Sequence, residues 1–184
     1  MTGIASRGQL RMSLLRYALV TVPLVLLLGT VSGRLSGSGY GNPWFDALAK
    51  PDFMPPGWAF GVAWMVLYIL LGLSLAMLIH ARGARQRGKV LALFVVQLLL
   101  NFAWSPVFFA FHQVMTALSL LAGMIVITAA LIVLAWRIRP LVAILLLPYL
   151  AWLLFAAALT FEIQRLNPNA AEVAPRGAST DIIL

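Results

Sequence analysis

The chain contains no cysteine, which excludes disulfides, thiolate catalysis, haem–thiolate ligation and cysteine-based zinc sites. Charge is scarce as well. Only 10% of the 184 residues are charged, against about 25% in a soluble domain. The acidic residues are Asp46, Asp52, Glu162, Glu172 and Asp181, and no carboxylate pair, Ser-His-Asp set, phosphate loop or H-E-x-x-H appears among them. Hydrolytic and phosphoryl-transfer chemistry therefore have no visible apparatus. His80 and His112 lie at the ends of apolar runs without an acidic or histidine partner at ligand spacing. They read as solvated surface residues, no protein metal site is expected, and nothing supports either as a haem axial ligand.

What is abundant is apolar: 62% of the residues, with a mean hydropathy of +0.98. So few charges cannot cover a soluble globule of this size, so lipid must serve as solvent for much of the surface. A membrane helix needs about 20 mostly apolar residues to cross about 30 Å of hydrocarbon. Five runs qualify, at 14–31, 58–79, 90–111, 114–136 and 141–163. Ionisable groups occur only at their ends, as Arg16, His80, Arg137 and Glu162, which argues against a charged relay across the membrane. The reading is an all-α membrane protein, a bundle of five transmembrane helices with a long first loop. The first run, preceded by Arg7, Arg11 and Arg16, can also be read as a signal peptide. Its full-span length and the lack of an A-x-A site favour a retained helix.

The net charge of +8 does not point to nucleic acid, because the basic residues sit in clusters between apolar runs. The N-terminal arm, second loop and fourth loop carry nine: Arg7, Arg11, Arg16, Arg82, Arg85, Arg87, Lys89, Arg137 and Arg139. The opposite side carries four: Arg34, Lys50, Arg165 and Arg176. Lysine and arginine are retained on the cytoplasmic side, so the N-terminus is expected in the cytoplasm and the first loop and C-terminus outside. The chain divides into a basic arm (1–13), the transmembrane domain (14–166) and a polar, flexible tail (167–184).

The loop 32–57 begins with the flexible composition Ser36-Gly37-Ser38-Gly39-Tyr40-Gly41-Asn42-Pro43. Residues 44–50 are fit for a helical turn or two, with Pro43 acceptable at the start. Pro51, Pro55 and Pro56 then stiffen the entry to the second run. Trp44, Phe45, Phe53 and Met54 argue against disorder, since such side chains seek burial. Two readings stand: anchoring in the interfacial aromatic belt, or a lid over a cavity.

Within the runs, Phe60, Trp64 and Tyr68 share one helix face. Gln97, Asn101, Trp104 and Phe108 form a second stripe, and Tyr149, Trp152 and Ala156 a third. Each alone is consistent with ordinary packing, and buried Gln and Asn often bond a neighbouring helix. Three aromatic faces with polar tips at Tyr68, Asn101 and Tyr149 suit a pocket for a flat hydrophobic ligand, provided the faces converge. Pro106 is expected to kink the third run, with Pro23 and Pro148 acting likewise in the first and fifth. Leu159, Phe161 and Arg165 nearly match a sterol pattern, with Phe where Tyr is required; an aromatic and an arginine at the membrane boundary is the better reading.

These segments resemble the TspO family, the tryptophan-rich sensory or peripheral benzodiazepine receptor proteins. The resemblance rests on Trp44-Phe45, Leu48-x-Lys50-Pro51 and Pro55-Pro56; on Trp58-Ala59-Phe60, Ala63-Trp64 and Leu67-Tyr68. It continues in Gln97-x3-Asn101-x2-Trp104-x-Pro106-Val107-Phe108-Phe109, in Leu147-Pro148-Tyr149-x2-Trp152, and in Phe161 and Arg165-Leu166-Asn167. It implies a five-helix bundle, often dimeric, with a pocket closed by the first loop. It also implies porphyrin, haem, sterol or benzodiazepine-type ligands, and a role in tetrapyrrole transport or regulation. Trp64 and Trp152 match positions proposed to degrade protoporphyrin in light, and Tyr68, Asn101 and Trp104 match other ligand-lining positions. The chain departs from the pattern at Asp52-Phe53-Met54, at Thr160 where Asn is usual, and in its longer basic arm. Ala92, Ala103 and Ala110 give no G-x-x-x-G motif in the third run.

The expected function is a membrane binder or transporter of porphyrin-type planar hydrophobes, with no required cofactor. Trp44, Phe60, Trp64, Tyr68, Gln97, Asn101, Trp104, Phe108, Tyr149, Trp152 and Ala156 are the candidate ligand-binding residues. The alternatives are an enzyme that oxidises protoporphyrin in light through Trp64 and Trp152, and a structural or regulatory membrane partner.

Overall fold

A computed structural model describes residues 7–173; positions 1–6 of the N-terminal arm and 174–184 of the tail lie outside the described residues. The described chain is helical: α1 (Arg7–Leu35), α2 (Pro43–Ala47), α3 (Gly57–His80), α4 (Arg87–Ser105), α5 (Val114–Trp136) and α6 (Pro140–Leu166). A π-helical turn, Pro106–Ala110, continues α4, and a 3-10 turn, Ala170–Glu172, follows α6. All but α2 are long and apolar enough to cross a membrane, and they contain the five runs read from the sequence, apart from Phe111 at the end of the third. Helix α1 packs on α3, α3 on α6, α6 on α5, α5 on α4, and α4 on α1, closing a ring.

Small residues set the α1–α3 approach. A Cβ added at Gly72 would lie 2.6 Å from the Cα of Val22, so only glycine admits this crossing. There Thr21 Oγ1 donates to the Gly72 carbonyl at 2.7 Å. About two turns further along α1 toward the lid, a Cβ at Gly29 would meet the Tyr68 ring at 2.2 Å.

The three prolines behave differently. Helices α1 and α6 run on through Pro23 and Pro148. At Pro106 the α-helix gives way to the π turn, in which Phe111 N–H donates to the Pro106 carbonyl at 2.9 Å. Proline has no N–H to offer the carbonyl four residues earlier, here that of Phe102. An orphan carbonyl in hydrocarbon is costly, and Ser32 Oγ of α1 donates to it at 2.6 Å.

Two buried clusters result. The larger one fills the bundle, with Leu71, Phe94, Met124, Leu146 and Tyr149 among its members. The smaller holds Trp44, Phe45 and Leu48 of the first loop against Phe108, Phe109, Val114, Ile163 and Ala170. Residues 167–173, expected as the start of a loose tail, instead fold back over this second cluster: Asn167 Oδ1 accepts from Ala49 N–H and its Nδ2 donates to the Ala49 carbonyl, both at 2.9 Å. The paired hydrogen bonds and the buried Ala170 supply what polar composition concealed.

Candidate functional site, a lidded aromatic cavity

The lid is built around α2. Asn42 caps this helix: its Oδ1 accepts from the N–H groups of Trp44 and Phe45 at 3.0 and 3.1 Å. Its Nδ2 donates to the Gly37 carbonyl at 3.1 Å. At the other end, Lys50 Nζ donates to the carbonyls of Phe45 (2.7 Å) and Leu48 (3.2 Å), placing a cation where the helix dipole favours one. The same ammonium sits 4.8 Å from the centre of the Phe45 ring. Ser38 and Ser105 hydroxyls join the loop to the end of α4.

Trp44 holds the lid down. It is 2% exposed, its Nε1 donates to the Ala170 carbonyl at 2.7 Å, and its ring stacks on His112 at 4.3 Å. His112, expected on the solvated surface, is therefore half-buried against an indole, with a left-handed φ of 57°. Trp44 is a latch and does not line the cavity beneath.

That cavity measures about 1250 Å³, above the usual 300–1,000 Å³ of small-molecule pockets. Of the candidates, Phe60, Trp64, Tyr68, Asn101, Trp104, Phe108, Trp152 and Ala156 line it. The rings of Trp64 and Trp152 meet edge to face at 6.2 Å, and Phe60 meets Trp152 similarly at 5.9 Å. Trp104 stacks on Phe108 at 5.1 Å and 13°, a pairing set by their four-residue spacing across the π turn. The Nε1 groups of Trp104 and Trp152 and the Oδ1 of Asn101 are buried without a hydrogen-bond partner among the described residues. Buried polar groups are normally paired; with almost no accessible surface, these three sit inside the wall and reach a guest only when a neighbouring side chain shifts.

Gln97 and Tyr149 lie behind the wall. Tyr149 is fully buried; its hydroxyl accepts from Gln97 Nε2 at 2.6 Å and Asn101 Nδ2 at 2.9 Å. The pair orients Asn101. The sterol-like residues diverge: Leu159 lines the cavity, Phe161 is 55% exposed, and Arg165 pairs with Glu162 at 2.8 Å. No cluster of three metal-ligating side chains occurs among the described residues.

One wall was missed. Helix α1 contributes Leu26, Gly29, Thr30, Gly33 and Arg34, and α5 contributes Leu121 and Met124. These residues carry no aromatic stripe to mark them. Thr30 and Arg34 on α1, and Gly61 and Met65 on α3, line the cavity and are also exposed on the outer surface. From the loop, Met54 lines the cavity, whereas Phe53 is half exposed and packs on Phe155.

A ring of five membrane helices around an aromatic cavity, roofed by the first loop, defines an integral multi-pass membrane protein with an internal ligand-sized chamber. The chain belongs to the TspO/MBR family, whose model matches residues 20–166. It is 36% identical over 131 residues to the tryptophan-rich sensory protein of Cereibacter sphaeroides, covering 71% of this chain and 81% of that one. To the tryptophan-rich protein TspO of Archaeoglobus fulgidus it is 39% identical over 124 residues, covering 67% and 80%. To the translocator protein of Homo sapiens it is 37% identical over 146 residues, covering 76% and 84%.

Proposed function

We propose that this protein is a membrane receptor or translocator for planar hydrophobic ligands of the porphyrin class, including protoporphyrin and haem. The observation that carries this reading is the cavity of about 1250 Å³ with Trp64, Trp104 and Trp152 in its walls. Aromatic walls suit a flat π-system by offset or edge-to-face packing, and a side-chain shift on binding would make the unpaired groups of Asn101, Trp104 and Trp152 available as orienting partners. Family membership supports the receptor- or translocator-like role. Among the described residues, Arg82, Arg85, Arg87, Lys89, Arg137 and Arg139 opposite the lid outnumber Arg34, Lys50 and Arg165 on the lid side, which supports a lid facing the exterior. Sterols and benzodiazepine-type compounds belong to the same reading through their flat or compact apolar shape. A homodimer belongs to the same reading on family resemblance alone, since Ala92, Ala103 and Ala110 form no small-residue dimer motif.

Titration of the purified protein in neutral nanodiscs with protoporphyrin, haem and cholesterol, followed by Trp fluorescence, tests the proposal. Saturable quenching at micromolar protoporphyrin is expected. No quenching with any of them favours a structural role and ends the reading.

A second reading is a light-dependent oxidation of bound protoporphyrin with dissolved dioxygen as the oxidant, favoured by the adjoining indoles of Trp64 and Trp152. Product formed on illumination, lost in Trp64→Phe or Trp152→Phe while binding persists, would establish it. Unchanged porphyrin spectra after illumination would reject it.

A further inference from the structure

We propose that Arg34 makes the cavity selective for planar hydrophobes that carry a carboxylate on their edge; this rests on the ligand class proposed above and sharpens it. The residues lining the cavity include one charged side chain, Arg34, and no carboxylate. On the lid side the other described cations are committed: Lys50 to the carbonyls of α2 and Arg165 to Glu162. The Arg34 guanidinium has no hydrogen bond or ion pair among the described residues. Asp46, the nearest lid carboxylate in sequence, is held by Gly41 N–H at 2.9 Å and does not line the cavity.

Position adds to chemistry. Arg34 lies five residues beyond Gly29 on α1, about 7.5 Å along the axis toward the lid at 1.5 Å per residue. Gly29 touches Tyr68, and Trp64 lies four residues before Tyr68 on the antiparallel α3, about 6 Å in the same direction. A rigid ligand with its rings beside Trp64 thus brings its edge to the level of Arg34. The side chain is exposed at the end of its helix, so its charge needs no burial in hydrocarbon. Two further donors border this rim. The loop with left-handed Gly37, Gly39 and Gly41 lines the cavity, and the N–H groups of Gly39 and Tyr40 have no backbone partner. Oriented backbone N–H groups of this kind attract anions, and a guanidinium binds a carboxylate through paired, charge-assisted hydrogen bonds.

The test compares protoporphyrin with its dimethyl ester, which keeps the ring and removes both charges. Each is titrated into the full-length protein in phosphatidylcholine nanodiscs by Trp quenching, for wild type, Arg34→Gln and Arg34→Lys. Because the two ligands partition differently into lipid, the readout is the change in acid-to-ester affinity ratio between variants. Arg34→Gln is expected to lower that ratio about tenfold by weakening the acid alone, with Arg34→Lys retaining part of it. Raising salt from low to high ionic strength should lower the wild-type ratio and leave that of Arg34→Gln unchanged. An unchanged ratio in Arg34→Gln, or equal weakening of acid and ester, overturns the assignment while leaving the cavity reading intact. If wild type binds neither compound, the ligand class itself is wrong and the assignment falls with it.

Discussion

Ser32 of α1 donates to the carbonyl of Phe102 in α4 at 2.6 Å, the carbonyl that Pro106 leaves without its helical partner. A proline and a serine 74 positions apart in the sequence therefore act as one unit. The proline opens the π turn that aims Phe108 and Phe109 at the lid, and the serine satisfies what the proline removed.

Removing the hydroxyl in Ser32→Ala strands that carbonyl, at an expected cost of about 1–3 kcal/mol. In a Pro106→Ala background the backbone N–H returns, and the same serine change should cost well under half as much. Thermal unfolding of the four proteins in one detergent measures this coupling. Additive effects would show that the two residues act separately.

Glycine substitutions separate packing from binding. At Gly72 an added methyl meets the Val22 backbone at 2.6 Å, so Gly72→Ala should destabilise by about 1–3 kcal/mol. At Gly29 the obstacle is the ring of Tyr68, a side chain that lines the cavity and that the clash would push into it. Gly29→Ala should therefore cost little stability and weaken protoporphyrin about tenfold, or about 1.4 kcal/mol. Gly61→Ala, with open space around it, serves as the control. Equal affinity in Gly29→Ala and wild type would contradict the placement of Tyr68.

The latch is tested at Trp44. Trp44→Phe keeps a ring against His112 and Phe108 but loses the bond to Ala170, worth about 1 kcal/mol. Amide hydrogen exchange across residues 42–50 should speed up about fivefold, with the spans unaffected. Unchanged exchange in that segment would mean that the hydrophobic contacts alone hold the lid.

Tyr149→Phe removes the acceptor shared by Gln97 and Asn101. Two buried amides lose their partner, and the expected destabilisation is about 2–4 kcal/mol. Gln97→Leu with Tyr149→Phe should recover part of it, since fewer polar groups remain unpaired. No recovery in the double variant would place the cost elsewhere.

The bundle was legible because length and hydropathy determine a membrane span almost alone: runs such as 114–136 coincide with α5. The faces on α3, α4 and α6 were legible because helical spacing determines direction. Depth was not, which is why Gln97 and Tyr149 share a stripe with Asn101 and Trp152 yet sit behind the wall. Trp44 was assigned to the ligand because an indole in a loop looks alike whether it caps a cavity or plugs a cleft. The choice depended on Ala170, whose backbone carbonyl leaves no mark in the sequence. Gly29 and Gly33 were invisible for the opposite reason: their contribution is the space a side chain would fill.

The cavity itself is tested most directly by filling it. Ala156 lines it about one helical turn beyond Trp152 on α6. Protoporphyrin titration of Ala156→Phe in nanodiscs, read by Trp quenching, should show binding weakened at least about tenfold with the thermal unfolding of wild type preserved. Wild-type affinity in a stable, folded Ala156→Phe would show that the ligand binds elsewhere.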